Sequence, residues 1–207
     1  MRHQIPGMSD ARKSSDAPDP LILALGDSLT AGHGLPRDAS FAARLEVLLR
    51  AHYPDAAVFN AGVSGDTSAA ALRRLPAVLS GLHQRPALAI VELGANDLLR
   101  GVPPARTRAD LGLIVEELQR CHIPVLLATL EPPPMLAALG QPYRDIYEAI
   151  SARHGVSRHP FFPPGVLGHP DFVLPDRLHP NAKAIDLVAR HMLAPVMAAL
   201  AEARAEA

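Results

Sequence analysis

Leu21-Ile22-Leu23-Ala24-Leu25-Gly26-Asp27-Ser28-Leu29-Thr30 is the stretch that decides the fold. Five apolar residues in unbroken succession fit a β-strand covered on both faces, and Gly26-Asp27-Ser28 ends that strand in a turn. Working outward, Ala57–Asn60, Leu88–Leu93 and Ile123–Leu130 are equally short, continuous and rich in Val, Leu and Ile, so they too read as strands buried on both faces. Between them apolar residues recur at helical spacing. Phe41, Leu45, Leu48 and His52 form one such set, Leu111, Val115, Leu118 and Cys121 another, and the segment from Asn181 repeats it with Ile185, Val188, Met192 and Val196. Strand and helix in alternation imply a parallel sheet with helices on both faces and right-handed crossovers. In such a sheet ligands bind beyond the carboxyl ends of the strands.

The composition agrees with one globular domain. A chain of 207 residues leaves room for a single core, and 48% hydrophobic with 20% charged residues excludes an intrinsically disordered protein. Twenty basic and 21 acidic side chains give a net charge of −1, which offers no broad attraction for nucleic acid or an anionic membrane surface. The single cysteine, Cys121, permits no intramolecular disulfide, so packing must supply the stability. Residues 1–20 hold charges and no apolar h-region, and read as a disordered leader ahead of a domain over 21–207. With no uninterrupted apolar run of about eighteen residues, the expectation is a cytoplasmic protein without stable membrane insertion.

Four loops at the expected strand ends carry chemistry-bearing residues. Ser28 follows the first strand, where a hydroxyl can project from the sheet edge beside the unpaired N–H groups of a helix start; a plain capping serine is the alternative. Gly62 and Gly65 follow the second strand in Asn60-Ala61-Gly62-Val63-Ser64-Gly65-Asp66-Thr67. Close backbone approach there could aim the Gly62 N–H at a developing negative charge, or the glycines could serve positive φ with Asp66 or Thr67 capping a helix. Asn96, in Glu92-Leu93-Gly94-Ala95-Asn96-Asp97, offers an uncharged carboxamide donor, while Asp97 reads as a helix N-cap. Asp176 stands three residues before His179 in a loop bounded by Pro175 and Pro180, where it can accept the Nδ1–H bond and leave Nε2 outward as a base. A nucleophile, neutral donors and an Asp/His pair make a complete set for acyl transfer through a serine ester.

With Gly26-Asp27-Ser28-Leu29, Gly62, Gly94-Ala95-Asn96-Asp97 and Asp176-Arg177-Leu178-His179 in this order, the chain resembles the GDSL, or SGNH, hydrolase family. Val63–Ser68, Arg74-Leu75-Pro76-Ala77 and Val91–Asp97 through Arg100-Gly101 are similar to its bacterial thioesterase I, lysophospholipase and arylesterase subgroup. Ala95 stands where that subgroup often has a second glycine, and Arg177-Leu178 where it often has glycine and a small apolar residue. The resemblance implies a flavodoxin-like, three-layer α/β/α sandwich with a parallel sheet. It further implies attack by Ser28, proton transfer to His179, orientation by Asp176, and an oxyanion hole of the Ser28 and Gly62 N–H groups with the Asn96 side chain. No cofactor and no metal are implied.

The apolar stretches Leu98-Leu99, Pro132–Leu139 and Phe161–Leu174 lie in loops near these residues and suggest a trough for an acyl chain or aryl group, with loop packing the alternative. The expected partner is thus a small ester. Competing readings are a small-ester or carbohydrate deacetylase, a metal hydrolase using Asp176, His179 and other histidines, and a non-catalytic ligand-binding α/β module. The second lacks a compact ligand motif, and the third lacks GxGxxG or a P-loop.

Overall fold

The computed structural model describes residues 19–130 and 137–205. The expected leader therefore lies outside the described residues save for its last two, and so does most of the apolar stretch Pro132–Leu139.

Five parallel strands form one sheet: β1 (Leu21–Gly26), β2 (Ala57–Gly62), β3 (Leu88–Glu92), β4 (Val125–Thr129) and β5 (Ser157–Pro160), in the order β2-β1-β3-β4-β5. The helices are α1 (Ser28–Ala31), α2 (Phe41–Leu49), α3 (Ser68–Ser80), α4 (Ala95–Leu99), α5 (Pro104–Arg120), α6 (Ala137–His154) and α7 (Ala182–Ala205). The expected α/β/α sandwich is the observed one.

Side chains alternate across each strand, so the sheet separates two cores. Ile22, Ala24, Leu88, Ile90, Leu126 and Ala128 face α2 and α7 and pack with Phe41, Leu45, Ile185, Val188 and Met192. Leu23, Leu25, Ala89, Val91, Val125 and Leu127 face the other way, against Leu75 of α3, Leu111 and Val115 of α5, and Ile146 and Ile150 of α6. Double-sided burial explains the unbroken apolar runs of β1, β3 and β4. By length and composition α7 could cross a membrane; its apolar stripe is seated on the sheet, with Ile185, Val188, Met192 and Val196 fully buried.

Two expectations need correction, and one strand went unread. The second strand is not buried on both faces: β2 is an edge strand, with Phe59 exposed on its open side. β5, Ser-Arg-His-Pro, was not legible as a strand, because it pairs only with β4 and its side chains face largely outward. In the first of the helical sets His52 falls beyond the end of α2, and Leu49 takes the fully buried position.

Candidate active site

β1 delivers Ser28. Asp27 follows the strand as the N-cap of α1, its buried Oδ1 accepting the Leu29 N–H at 2.9 Å, so Ser28 is the first helical residue and not the cap. At that position its own N–H has no acceptor within the helix.

The loop before α7 delivers the base. Asp176 Oδ1 accepts the N–H groups of Leu178 and His179, each at 3.0 Å, and its Oδ2 lies 2.7 Å from His179 Nδ1. The Leu178 N–H and then the His179 ring hold the Asp176 carboxyl down to about 2. That turn requires Arg177 at φ +59°, in the left-handed region, so the arginine occupies the conformation that suits glycine best without disturbing the Asp176–His179 spacing. The imidazole then presents Nε2 to Ser28 Oγ at 3.2 Å. Asp176, His179 and Ser28 form one continuous chain of hydrogen bonds. On the side of His179, the His33 ring packs at 4.2 Å between centroids, with its Nδ1 3.4 Å from Ser64 Oγ.

Asn96 and Gly62 need separate treatment. Asn96, in the first turn of α4, points its Nδ2 at Asp27 Oδ2 (2.9 Å) and at the Asp66 carbonyl (3.0 Å), which places the carboxamide beside the nucleophile's own turn. Burial pushes the Asp27 carboxyl up to about 6. Gly62 does not offer a free N–H: it donates to Asn60 Oδ1 at 3.0 Å. Glycine is needed at 62 for another reason, since a Cβ there would collide with the Ala31 backbone, its Cα at 2.7 Å. The strand end and α1 thus meet backbone to backbone. In the same loop Gly65 has φ +87°, its carbonyl is held by Arg100 Nη2 at 2.7 Å, and its N–H has no acceptor among the described residues. Of the two loop glycines, Gly65 is thus the one with an unengaged N–H among the described residues, whereas sequence reading looked to Gly62. The positive φ demanded by the loop was the signal that could have found it.

Neighbouring residues hold this arrangement. Thr67 caps α3 by accepting the Ala70 N–H, as one reading anticipated, while Asp66 pairs with Arg74 at 2.6 Å. Asp97 does not cap its own helix. Fully buried, it accepts the Ser68 N–H (2.8 Å) and hydroxyl (2.6 Å) and the Thr107 hydroxyl (3.2 Å), tying α4 to the starts of α3 and α5.

The metal reading reduces to His33, Asp176 and His179, whose ligand atoms lie within 4.8 Å of one another. His154, His159 and His169 do not join them, and Asp176 is already committed to the imidazole and two amides. A cavity of about 180 Å³ between α5 and α6, lined by Pro104, Arg108, Pro142 and Asp145 among others, touches none of the site residues.

Residues 24–186 match the model of the GDSL-like lipase/acylhydrolase family. The chain is 34% identical to an arylesterase of Vibrio mimicus, over 79% of this chain and 81% of that protein. It is likewise 34% identical to thioesterase 1/protease 1/lysophospholipase L1 of Escherichia coli strain K12, over 83% and 80% respectively. Among solved structures, AlinE4, an SGNH-hydrolase family esterase, superposes with a TM-score of 0.72 at 44% identity, covering 90% of this chain and 99% of that one. Sequence and architecture agree, and the chain belongs to the GDSL-like lipase/acylhydrolase family of ester hydrolases.

Proposed function

We propose that the protein hydrolyses carboxylic esters with an apolar acyl or aryl group through an acyl-enzyme on Ser28. The observation that carries this reading is the hydrogen-bonded chain from Asp176 through His179 to Ser28 Oγ. In the first half-reaction Ser28 Oγ attacks the acyl carbon while His179 Nε2 takes its proton. The protonated imidazole is stabilised by Asp176 and returns the proton to the departing alcohol. Water, activated by the same nitrogen, then releases the acid. The tetrahedral oxyanion is met by the Ser28 N–H, the Gly65 N–H, and the Asn96 amide, for which it competes with Asp27 Oδ2.

Support for an apolar group comes from the exposed side chains Val63, Leu99 and Leu178, which are 44%, 55% and 55% accessible. Each lies close to a site residue in the chain: Val63 stands two residues before Gly65, Leu178 precedes His179, and Leu99 ends the helix that carries Asn96. Single exposed apolar side chains are unremarkable on a surface, but these three belong to the segments that carry the site residues. The Phe161–Leu174 stretch supports loop packing instead, since Phe161 and Val166 are buried.

Intact-mass analysis after incubation with a fluorophosphonate tests the nucleophile. One adduct on Ser28, absent from Ser28→Ala, is expected; folded protein that takes up no adduct overturns the reading. A panel of p-nitrophenyl esters tests the acyl group. Rising kcat/KM from acetyl toward medium chains is expected, whereas a steady fall from acetate favours a small-ester deacetylase.

A further inference from the structure

One ionisable group beneath the nucleophile has no part in the chemistry just described. Glu92 is the last residue of β3, in register with Gly26 at the end of β1, and its side chain is completely buried. Its Oε2 accepts the Thr30 hydroxyl at 2.8 Å, while Oε1 is buried without a hydrogen-bond partner among the described residues. A bare oxygen on a buried carboxyl is uncommon enough to need a reason.

The oxygen that is bonded ties Glu92 to the nucleophile's helix through Thr30. It stands two positions after Ser28 on α1, and a Cβ on Gly26 would collide with its side chain, so the nucleophile's turn folds tightly back over β1. The Thr30–Glu92 bond then fastens that turn across to β3. Asp27, the cap of the same helix, is the second fully buried carboxyl here, and among the described residues no arginine or lysine pairs with Glu92: the nearby Arg74 spends Nε on Asp66 and Nη2 on the Gly26 carbonyl. From α6, Tyr147 faces the same region with its hydroxyl donated to the Leu93 carbonyl at 2.7 Å. Two neighbouring carboxylates without a cation cannot both be ionised cheaply in such a place. Burial first, and the Asp27 charge second, push the Glu92 carboxyl well above the usual carboxylate range.

We propose that Glu92 is a positioning residue for the acyl-transfer reaction, holding Ser28 in its approach to His179 by anchoring α1 through the Thr30 hydroxyl, and that it does so as an uncharged carboxyl group. This rests on Ser28 being the nucleophile.

The test compares the rate of fluorophosphonate labelling of Ser28, kcat and KM among wild type, Glu92→Gln, Glu92→Leu, Thr30→Val and the Thr30→Val/Glu92→Leu double variant. A sub-ångström drift of a nucleophile is expensive, so Glu92→Leu and Thr30→Val label about tenfold or more slowly and lose kcat with KM nearly unchanged. Glu92→Gln, neutral and of the same shape, keeps most of the rate. The double variant is no worse than the slower single one, because both remove the same bond. Wild-type labelling in Glu92→Leu overturns the positioning role, and a Gln variant as slow as the Leu variant overturns the uncharged state. Additive losses overturn the route through Thr30. Should Glu92→Leu fail to fold, Thr30→Val alone decides the anchoring. A wild type that takes no label sinks the Ser28 reading itself and is distinct from all of these.

Discussion

His179 Nε2 stands 3.2 Å from Ser28 Oγ across a sequence separation of 151 residues, and the other ring nitrogen of His179 is spoken for by Asp176 at 2.7 Å. The imidazole is thereby fixed in one tautomer, with its basic nitrogen toward the serine. Asp176→Asn offers a donor where an acceptor is needed, and kcat is expected to fall by roughly 10²- to 10⁴-fold. Because the Asp176 side chain is 42% exposed, the Tm should change little. Its carboxyl is held down to about 2, so whatever stability it adds is present above its ordinary pKa near 3.8 and is lost only as the pH falls toward 2. Steady-state kinetics beside a thermal melt at pH 7 check both halves; an Asn variant with wild-type kcat would remove Asp176 from the reaction.

Asn96 has a structural duty as well as a place beside the serine. Its amide satisfies Asp27 Oδ2, which is buried, and the Asp66 carbonyl. Asn96→Ala should therefore lower kcat by about 10²- to 10³-fold through the lost donor. It should also lower stability by ~1–3 kcal/mol, since a buried acceptor is left bare. Denaturant titration and kinetics on the same preparation separate the two; unchanged turnover would exclude an oxyanion role.

Gly62 and Gly65 should fail differently. An added Cβ at 62 meets the Ala31 backbone, so Gly62→Ala is expected to destabilise the fold by ~1–3 kcal/mol through overpacking. At Gly65 the φ of +87° costs an alanine ~1–2 kcal/mol and tilts the free N–H and the carbonyl that Arg100 holds. Activity per folded molecule should consequently drop more in Gly65→Ala than in Gly62→Ala. The reverse ranking would return the oxyanion role to Gly62.

Away from the site, His159 of β5 and His191 of α7 lie ring against ring at 4.5 Å, and His191 Nε2 is buried without a partner among the described residues. Burial, and then the neighbouring ring, push His159 below its ordinary 6.5. A base depressed on folding binds its proton more readily when unfolded, so the stability it confers is present above pH 6.5 and lost as the pH falls below it. The drop in Tm between pH 7 and pH 5 is expected to shrink in His191→Phe. An equal drop in both proteins would rule out the His191 ring as a source of acid sensitivity.

From sequence alone, the layered parallel sheet was readable because β1, β3 and β4 are buried on both faces and must be apolar without alternation. The site's position was readable too, since such sheets bind at the carboxyl ends of their strands, and Ser28, Asn96 and the Asp176/His179 pair all fall there. Hydrophobic patterning failed where burial is one-sided: β5 reads Ser-Arg-His-Pro because an edge strand needs only a backbone partner, and β2 leaves Phe59 in solvent. The tertiary structure alone decided which groups bond to which. Gly62 gives its N–H to Asn60 and makes room for Ala31, Asp97 serves Ser68 instead of its own helix, and Glu92 finds Thr30 62 residues away. A pattern along the chain records how much water each residue sees, whereas a hydrogen bond between distant residues depends on strand order and on how closely backbones approach, and neither of those is written in any local stretch.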